Sequence, residues 1–274
     1  MEVISGELVK SKLPKRSDAD NKYTVGASLA ITGSRYMTGA AVFAAKGALL
    51  CGTGLLYQSS PKEALPVLQS VLYEPVFLED DIKSIGHCLS RSKAVLFGCG
   101  CENSYHNGEI LEYILSETSL PTVLDATAFT LLEKNKRLLS ACKNNVILTP
   151  HEGEASRIFG KKITDRAENA REFCEKYGCV LVLKGKDTIV AQGGRMMQNP
   201  TGSGAMARGG FGDVLAGMIL AFASQGLSPF DSALCGTYIH GLAGDMAREK
   251  YGELSVLPEN TLPLIPDALK KTAE

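Results

Sequence analysis

The fold is decided by four short β-branched runs: AVLFG at 94–98, TVLD at 122–125, VILT at 146–149 and VLVLK at 180–184. Each run is almost continuously apolar, as is typical of strands buried on both faces of a parallel sheet. Helical patterns fill the intervals, over 108–117, 127–134, 153–159 and 165–177. This alternation predicts an α/β fold, with a central, mostly parallel sheet flanked by helices on both faces.

The pattern changes after residue 188. Two short runs, 188–191 and 195–199, flank Gly193-Gly194 and predict a hairpin. Ser228-Pro229 has the form of a helix start, with Ser as the N-cap and Pro at the first helical position. We find no linker or internal repeat, and we therefore expect a single domain over 25–274, preceded by a ragged segment over 1–24.

Composition excludes several classes of protein. Lys+Arg number 29 against 30 Asp+Glu, a net charge of −1, which does not suit a non-specific nucleic-acid binder. The longest apolar stretch, 214–223, is half the roughly 20 residues that a membrane span needs. The eight cysteines include no Cys-x-x-Cys pair, and the start of the chain shows no secretory signal. We expect a cytoplasmic protein with reduced thiols in its core.

The strongest chemical motif is NPTGSGAMARGGFGD at 199–213, which continues into an apolar helix. Five glycines among residues 202–212 allow backbone N–H groups to converge, and a helix start adds partial positive charge. Such a site suits a phosphate or an oxyanion. An acid at this point, Asp213, suits a base that takes a proton from a hydroxyl attacking the phosphoryl group. The alternative is an acid that only complements the helix dipole.

Two further motifs end predicted strands. LKGKDT at 183–188 lies at the edge where an open parallel sheet places its ligand, but it also fits an ordinary hairpin turn, and it is not a Walker A loop. TPHEGE at 149–154 fits a capping box from Thr149 to Glu152, with Pro150 at the first helical position. That interpretation leaves His151 to line a pocket, contact a ligand or remain solvated.

Two glycine-rich joints are ambiguous. TGSRYMTGAA at 32–41 opens an apolar helix, and FGCGC at 97–101 ends a strand. Each is consistent with either close approach of a flat ligand or tight backbone packing.

Taken together and in this order, the segments resemble the NAD(P)H-hydrate dehydratase family of the ribokinase-like superfamily. The resemblance is carried by 33–55, 146–160, 180–194 and, most specifically, 199–247, and it covers roughly residues 25–270. It implies a ribokinase-like α/β fold. It also implies a hydro-lyase that restores NADH or NADPH from its hydrated form, driven by ADP or ATP through a phosphorylated intermediate, with Mg²⁺ offsetting the phosphate charge.

The resemblance also implies roles for individual residues. Asp213 is expected to be the catalytic base and a substrate contact. The hydrated dinucleotide is expected to contact Ala40, His151 and one glycine of the pair Gly98 and Gly100. The adenine nucleotide is expected at Lys184, Gly185, Lys186, Asp187, Thr188 and Gly212.

The sequence departs from the family pattern in two places. The usual Gly-Pro-Gly-Leu-Gly turn is replaced by Gly98-Cys-Gly-Cys-Glu102, so which glycine touches the substrate stays open. A common Asp-Ala-Asp is replaced by Asp125-Ala-Thr127, which removes any metal or capping role of the second acid.

Several expectations concern partners. Members often carry an epimerase domain ahead of this one, and the match from about residue 25 leads us to expect a separate epimerase. Self-association is common in the family, so a homo-oligomer such as a tetramer is expected. A vitamin-precursor kinase of the same superfamily and a non-catalytic nucleotide sensor are the alternatives, and the choice between ADP and ATP stays open.

Overall fold

One ten-stranded sheet organises the chain in a computed structural model that describes residues 1–142 and 145–274. Its strands are β1 (Glu2–Val3), β2 (Ala27–Ile31), β3 (Leu55–Ser60), β4 (Val76–Glu79), β5 (Ala94–Phe97), β6 (Thr122–Leu124), β7 (Val146–Leu148), β8 (Val180–Leu183), β9 (Ile189–Gln192) and β10 (Arg195–Gln198). They are ordered β1-β10-β9-β8-β7-β6-β5-β2-β3-β4. In the described chain every strand runs in one direction except β9, which is antiparallel to β8 and to β10.

The helices connect these strands or follow them. They are α1 (Gly6–Lys12), α2 (Lys22–Val25), α3 (Thr38–Leu50), α4 (Leu65–Val71), α5 (Ile82–Leu89), α6 (Tyr105–Glu117), α7 (Thr127–Lys134), α8 (Lys136–Ala141), α9 (Glu152–Phe159), α10 (Arg166–Tyr177), α11 (Phe211–Ser224), α12 (Pro229–Tyr251), α13 (Pro258–Thr261) and α14 (Ile265–Ala273). Two short 3₁₀ turns lie at Gly204–Met206 and Leu262–Leu264. The four β-branched runs form β5 to β8, the predicted hairpin is β9–β10, and Ser228 caps α12, as the sequence predicts.

Alternate residues of each strand face opposite sides, so the sheet has two apolar cores. Leu29 and Ile31 of β2 contribute to one core, which is packed with helices from α5 to α10. Ala30 faces the other side, where α3, α11, α12 and α14 pack. The mostly parallel sheet flanked by helices on both faces is thus confirmed.

Helices α3 and α11 touch through their backbones. A Cβ atom on Gly217 would lie 1.9 Å from the carbonyl oxygen of Ala44, and one on Gly47 would lie 2.4 Å from that of Val214. Only glycine permits such an approach, since a methyl group would overlap the neighbouring helix. This contact fixes the start of α11 against the sheet.

The N-terminal segment is not ragged over its whole length, and our expectation for 1–24 was wrong in this respect. β1 pairs in parallel with β10 at the sheet edge. Ile4 is 1% exposed and Val9 of α1 is fully buried, with α1 packed against α12 and α14. A two-residue strand is too short to show an alternating apolar pattern in the sequence. It also pairs with β10, a strand that lies about 190 residues later in the chain.

No helix in the described part of the chain is long and apolar enough to cross a membrane. All eight cysteines are buried and, within that part, free of disulfides.

Candidate active site

A cavity of about 850 Å³ opens beside the carboxyl end of β8. The loop after β8, the segment following β10 and the start of α11 surround it, and one face of α12 closes it. Its volume lies in the range typical of small-molecule sites. The expected nucleotide residues line it, together with His151: Lys184, Gly185, Lys186, Asp187, Thr188 and Gly212.

The start of α11 forms an anion-binding end. Gly210 precedes the helix at φ 101°, a left-handed conformation that favours glycine. In residues 1–142 and 145–274 no side chain caps this end, so the first N–H groups of the helix are available to a ligand. A Cβ atom on Gly212 would lie 3.2 Å from Lys184 Nζ, so the helix start and the lysine face the same point.

Asp213 lies among polar side chains from neighbouring strand ends. Potential ligand atoms of Cys99, Asp125 and Asp213 all lie within 4.8 Å of one another. Asp125 Oδ1 accepts hydrogen bonds from Lys184 Nζ at 2.8 Å and from Thr149 Oγ1 at 2.7 Å, and the Cys99 thiol donates to Asp125 Oδ2 at 3.6 Å. The carboxyl ends of β5, β6, β7 and β8 therefore converge beneath the start of α11.

This environment changes the ionisation of Asp213. Burial and the negative charge of Asp125 raise its pKa to about 7, while Cys99 and Lys184 act in the opposite direction. Burial tends to lower the pKa of Lys184, but the charges of Asp125 and Glu154 outweigh it and raise that pKa, so the lysine stays charged. A carboxyl group with a pKa near neutral is suited to general-base chemistry.

The loop after β8 turns its carbonyl groups away from the cavity. Arg166, the first residue of α10, donates to the carbonyl oxygens of Leu183 at 3.0 Å, Lys184 at 3.4 Å and Lys186. Its Nε also faces Glu152 in an ion pair of 3.2 Å. The Gly185 carbonyl accepts from Thr188 Oγ1 at 3.0 Å. The Lys184 N–H donates to the Pro150 carbonyl oxygen at 2.9 Å, so the N–H groups later in the loop are the candidates for binding an anion.

His151 has a structural function that the sequence interpretation assigned to other residues. It is the N-cap of α9, and its Nδ1 accepts from the N–H groups of Gly153 at 3.0 Å and Glu154 at 3.2 Å. The predicted capping box at Thr149 and Glu152 was wrong by two residues, since the box runs from His151 to Glu154. Thr149 instead continues from β7 and uses its hydroxyl on Asp125. His151 lines the cavity as well.

The other expected substrate residues form a separate group on the Cys99 side of Asp213. A Cβ atom on Gly100 would lie 2.7 Å from Ala40 Cβ, so these two residues are in contact. A Cβ on Gly98 would lie 2.1 Å from the carbonyl oxygen of Asp125. Backbone packing thus accounts for both glycines, and substrate contacts at Ala40, Gly98 and Gly100 stay predictions.

Thr127 replaces the second acid of the family pattern. Helix α7 has Ala126 as its N-cap residue, and the described structure shows no side-chain cap there. The Thr127 hydroxyl instead donates to the Cys101 carbonyl oxygen at 2.7 Å and ties α7 to the loop after β5.

Sequence reasoning missed several residues of the site: Cys99, Asp125, Arg166, Thr237 and His240. Asp125 carried a detectable signal, since it is an acid directly after a buried strand, at the edge where Asp213 was expected. Arg166 lies in an ordinary helix start, and nothing in the sequence relates it to a loop 17 to 20 residues later.

The carboxylates suit Mg²⁺ held together with nucleotide phosphates. Mg²⁺ takes oxygen ligands, usually one or two carboxylates plus phosphate oxygens. Asp125 provides such a carboxylate, and a carboxylate oxygen of Asp213 lies within 4.8 Å of it. Cys99 is a poor ligand for Mg²⁺, because burial and the nearby acids raise the pKa of its thiol and sulfur is too soft.

Comparison with solved structures defines the class. The chain superposes on a ribokinase-like superfamily protein from Enterococcus faecalis V583 with a TM-score of 0.90 at 24% identity, covering 99% of this chain and 96% of that one. The fold is therefore ribokinase-like. The ADP/ATP-dependent NAD(P)H-hydrate dehydratase from Bacillus subtilis, co-crystallised with ATP and Mg²⁺, matches with a TM-score of 0.86 at 28% identity, covering 99% and 98%.

The sequence comparison is more specific. A family profile for NAD(P)H-hydrate dehydratase matches residues 28–267. The curated ADP-dependent (S)-NAD(P)H-hydrate dehydratase of Bacillus subtilis (strain 168) is 31% identical over 97% of this chain and 96% of its own length. The chain spans about half the length of other curated relatives, the bifunctional NAD(P)H-hydrate repair enzymes. The chain belongs to the NAD(P)H-hydrate dehydratase family, whose activity is that of a hydro-lyase.

Proposed function

We propose that this chain removes water from hydrated NADH or NADPH, in the (S) configuration, and uses ADP or ATP to drive the reaction. The observation that carries the proposal is the position of Asp213 between two groups of residues. On one side the helix start and Lys184 face the cavity. On the other side lies the Ala40–Gly100 contact, next to Cys99.

The nucleotide phosphates bind at the start of α11. The N–H groups of its first turn, the loop at Lys184–Thr188 and the Lys184 ammonium group provide hydrogen bonds and positive charge. Arg166 keeps the carbonyl oxygens of this loop away from the phosphates. The terminal phosphoryl group then lies next to Asp213.

The carboxylate of Asp213 takes the proton from the hydroxyl that hydration added to the nicotinamide ring. The hydroxyl oxygen then forms a bond to the terminal phosphorus, and the bond from that phosphorus to the nucleotide's bridging oxygen breaks. In the second step the ring carbon–oxygen bond breaks, the adjacent carbon gives up a proton to the departing phosphate, and the ring double bond is restored. The hydroxyl oxygen leaves within inorganic phosphate, a far better leaving group than hydroxide.

Asp125 would hold Mg²⁺ together with the nucleotide phosphates. When bound, the ion offsets phosphate charge as the phosphoryl group is transferred.

The test is recovery of reduced-nicotinamide absorbance from hydrated NADH and hydrated NADPH, each with ADP and with ATP. We expect recovery that requires a nucleotide and releases inorganic phosphate in equal amount. No recovery with either nucleotide refutes the proposal. A stable phosphorylated product from a vitamin-precursor alcohol would instead support the kinase alternative.

The expected homo-oligomer, cytoplasmic location and separate epimerase remain predictions. Light scattering of the purified chain tests the first. An assay with the (R) hydrate tests the separate epimerase, since we expect conversion only after an epimerase is added.

A further inference from the structure

A buried polar cluster lies at the carboxyl ends of β2 and β3. Gln58 of β3 is 0% exposed, and its Nε2 donates to Thr32 Oγ1 at 2.7 Å and to Ser60 Oγ at 3.2 Å. Ser60 Oγ in turn donates to the Thr32 carbonyl oxygen at 2.6 Å. Because the Ser60 proton is used there, its oxygen accepts from the amide nitrogen, which fixes the orientation of the amide. We call Thr32, Gln58 and Ser60 the amide cluster.

Stability alone does not explain the amide of Gln58. Its Oε1 is buried and has no hydrogen-bond partner among the residues that the structure describes. Such an acceptor is costly, because it has given up its hydrogen bonds to water. Gln58 is paired in register with Ala30, and Leu56 lies two residues earlier on the same face of β3; both belong to the apolar core beneath α3. A polar residue that breaks an apolar face at a cost indicates a role in function.

The amide cluster holds the chain between β2 and α3. Thr32 is the first residue after β2, and its N–H donates to the Ser59 carbonyl oxygen at 3.1 Å. The N–H of the next residue, Gly33, donates to the Cys99 carbonyl oxygen at 2.7 Å. A Cβ atom on Gly33 would lie 2.9 Å from Ala41 Cβ, so the first turn of α3 packs directly on this glycine. Gly33 therefore joins the start of α3 to the loop after β5.

These two segments carry the predicted substrate contacts. Ala41 follows Ala40, and Cys99 precedes Gly100, and the Ala40–Gly100 contact is the substrate side of the site. A shift of Gly33 would thus move both halves of this contact. The described lining of the nucleotide cavity includes no residue of the amide cluster. The cluster is therefore placed to affect the substrate and not the nucleotide.

We infer that Gln58 is a positioning residue for the hydrated dinucleotide. Through Thr32 and Gly33 it sets the start of α3 against the loop after β5, and it does so without touching the substrate. This role rests on the proposed function and on the predicted substrate contacts at Ala40 and Gly100.

The experiment measures the affinities for hydrated NADH and for ADP separately, by calorimetry. Gln58→Met removes the amide and keeps a side chain of similar length, and Thr32→Val removes the hydroxyl and keeps its shape. We expect each variant to bind hydrated NADH roughly five- to fiftyfold more weakly than wild type, with ADP affinity within about twofold. The KM for hydrated NADH should rise in parallel, with a smaller change in kcat. Thr32→Ser keeps the hydroxyl and should bind hydrated NADH as wild type does.

The matched control is a second buried hydroxyl cluster, at the opposite end of β2. Ser28 Oγ lies 2.8 Å from Thr53 Oγ1, which lies 3.3 Å from Ser224 Oγ. Thr53→Val breaks these hydrogen bonds far from the substrate side. It should lower the unfolding temperature and leave both affinities unchanged.

Three results would overturn the inference. They are wild-type affinity for hydrated NADH in both Gln58→Met and Thr32→Val, an equal loss of ADP affinity in these variants, and binding by Thr32→Ser as weak as that by Thr32→Val. A wild type that binds hydrated NADH but does not restore NADH refutes the proposed function alone, since the binding comparison does not depend on turnover.

Discussion

The carboxyl of Asp213 has its pKa raised to about 7 because it is buried and faces Asp125. Three groups act on it from the surrounding strand ends: Asp125 after β6, Cys99 after β5 and Lys184 after β8. If Asp213 is the base, it must be ionised to act. The rate therefore falls as the pH drops through about 7.

Replacing Cys99 should move this pH dependence. The Cys99 thiol lowers the pKa of Asp213, so Cys99→Ala should shift the acidic limb of the kcat/KM profile to higher pH. Cys99→Ser keeps a hydrogen-bond donor at the same place and serves as the control. The acidic limb of its kcat/KM profile should lie at the same pH as in wild type or at a lower pH. The measurement is kcat/KM for the hydrated dinucleotide between about pH 5 and pH 9, which brackets the pKa of about 7. If the acidic limbs of Cys99→Ala and wild type fall at the same pH, Cys99 does not lower the pKa of Asp213.

Asp213 should also affect stability in a pH-dependent way. Its folded-state pKa lies above the ordinary value of 3.8, so the folded chain binds the proton more tightly than the unfolded chain does. The free energy of unfolding therefore loses a contribution as the pH rises from about 4 to about 7. Asp213→Asn should be more stable than wild type at pH 8, by about 1–2 kcal/mol, and should show no such gain at pH 4. Chemical denaturation at both pH values measures this, and an equal difference at both contradicts it.

Residues of the site differ in how far the sequence reveals them. Asp213 and Lys184 stand in glycine-rich motifs at predicted strand or helix ends. Cys99 and Asp125 each follow a predicted strand, but their effect on Asp213 depends on the order in which β5, β6 and β8 lie in the sheet. Local pattern does not encode that order.

At the level of elements, the start of α10 supports the loop after β8. Arg166→Met should raise the KM for nucleotide by roughly tenfold or more with a smaller change in kcat, because the loop carbonyls lose their donors. Arg166→Lys should also have a raised KM for nucleotide, since an ammonium group does not reproduce the planar set of N–H donors of the guanidinium group. Steady-state kinetics with varied ADP measures both.

The control for Arg166 is Arg171→Met in the same helix. Arg171 pairs with Glu168 on the surface and is remote from the loop contacts described here. We expect its nucleotide KM to match that of wild type. A similar rise in both variants would indicate a general effect on α10.

Packing of α3 against α11 should depend on glycine. Gly217→Ala would place a methyl group 1.9 Å from the Ala44 carbonyl oxygen, and we expect a loss of at least about 1–3 kcal/mol of stability. Gly108→Ala in α6 is the matched control. Apart from its chain neighbours and the backbone of its own helix, no atom of the described chain lies within 4 Å of its Cβ position, so alanine should be neutral or stabilising by up to about 1 kcal/mol. Urea unfolding compares the two, and an equally stable Gly217→Ala contradicts the packing argument.

Most elements were predictable because their signals are local. β5 to β8 are apolar runs, and α12 begins at the predicted Ser228 cap. The start of α9 was misplaced because an imidazole accepts the capping hydrogen bonds, a role usually held by hydroxyl and carboxyl groups.

For the whole molecule, the N-terminal segment completes the sheet. Deleting residues 1–13 should leave β10 without its outer partner and remove the buried Ile4 and Val9. We expect the unfolding temperature to fall by roughly 5–15 °C. Val3→Thr, an exposed position, is the control and should change little. An unchanged unfolding temperature after deletion would show that β1 and α1 add nothing to stability.

The overall architecture followed from the sequence because strand–helix alternation limits the sheet to a few topologies. The edge strand β1 did not, since it pairs Glu2 with Met197, two residues far apart in the sequence. The separation of the Ala40–Gly100 contact from the cavity that Lys184 and Gly212 line was likewise visible only in the structure.

The most direct test of the account compares Asp213→Asn with wild type. Both are assayed for restoration of NADH from its hydrate with ADP or ATP, and both are titrated with ADP. The account predicts that the variant binds ADP nearly as well as wild type, while its turnover falls by about 10²–10⁴-fold. Turnover equal to that of wild type would contradict it.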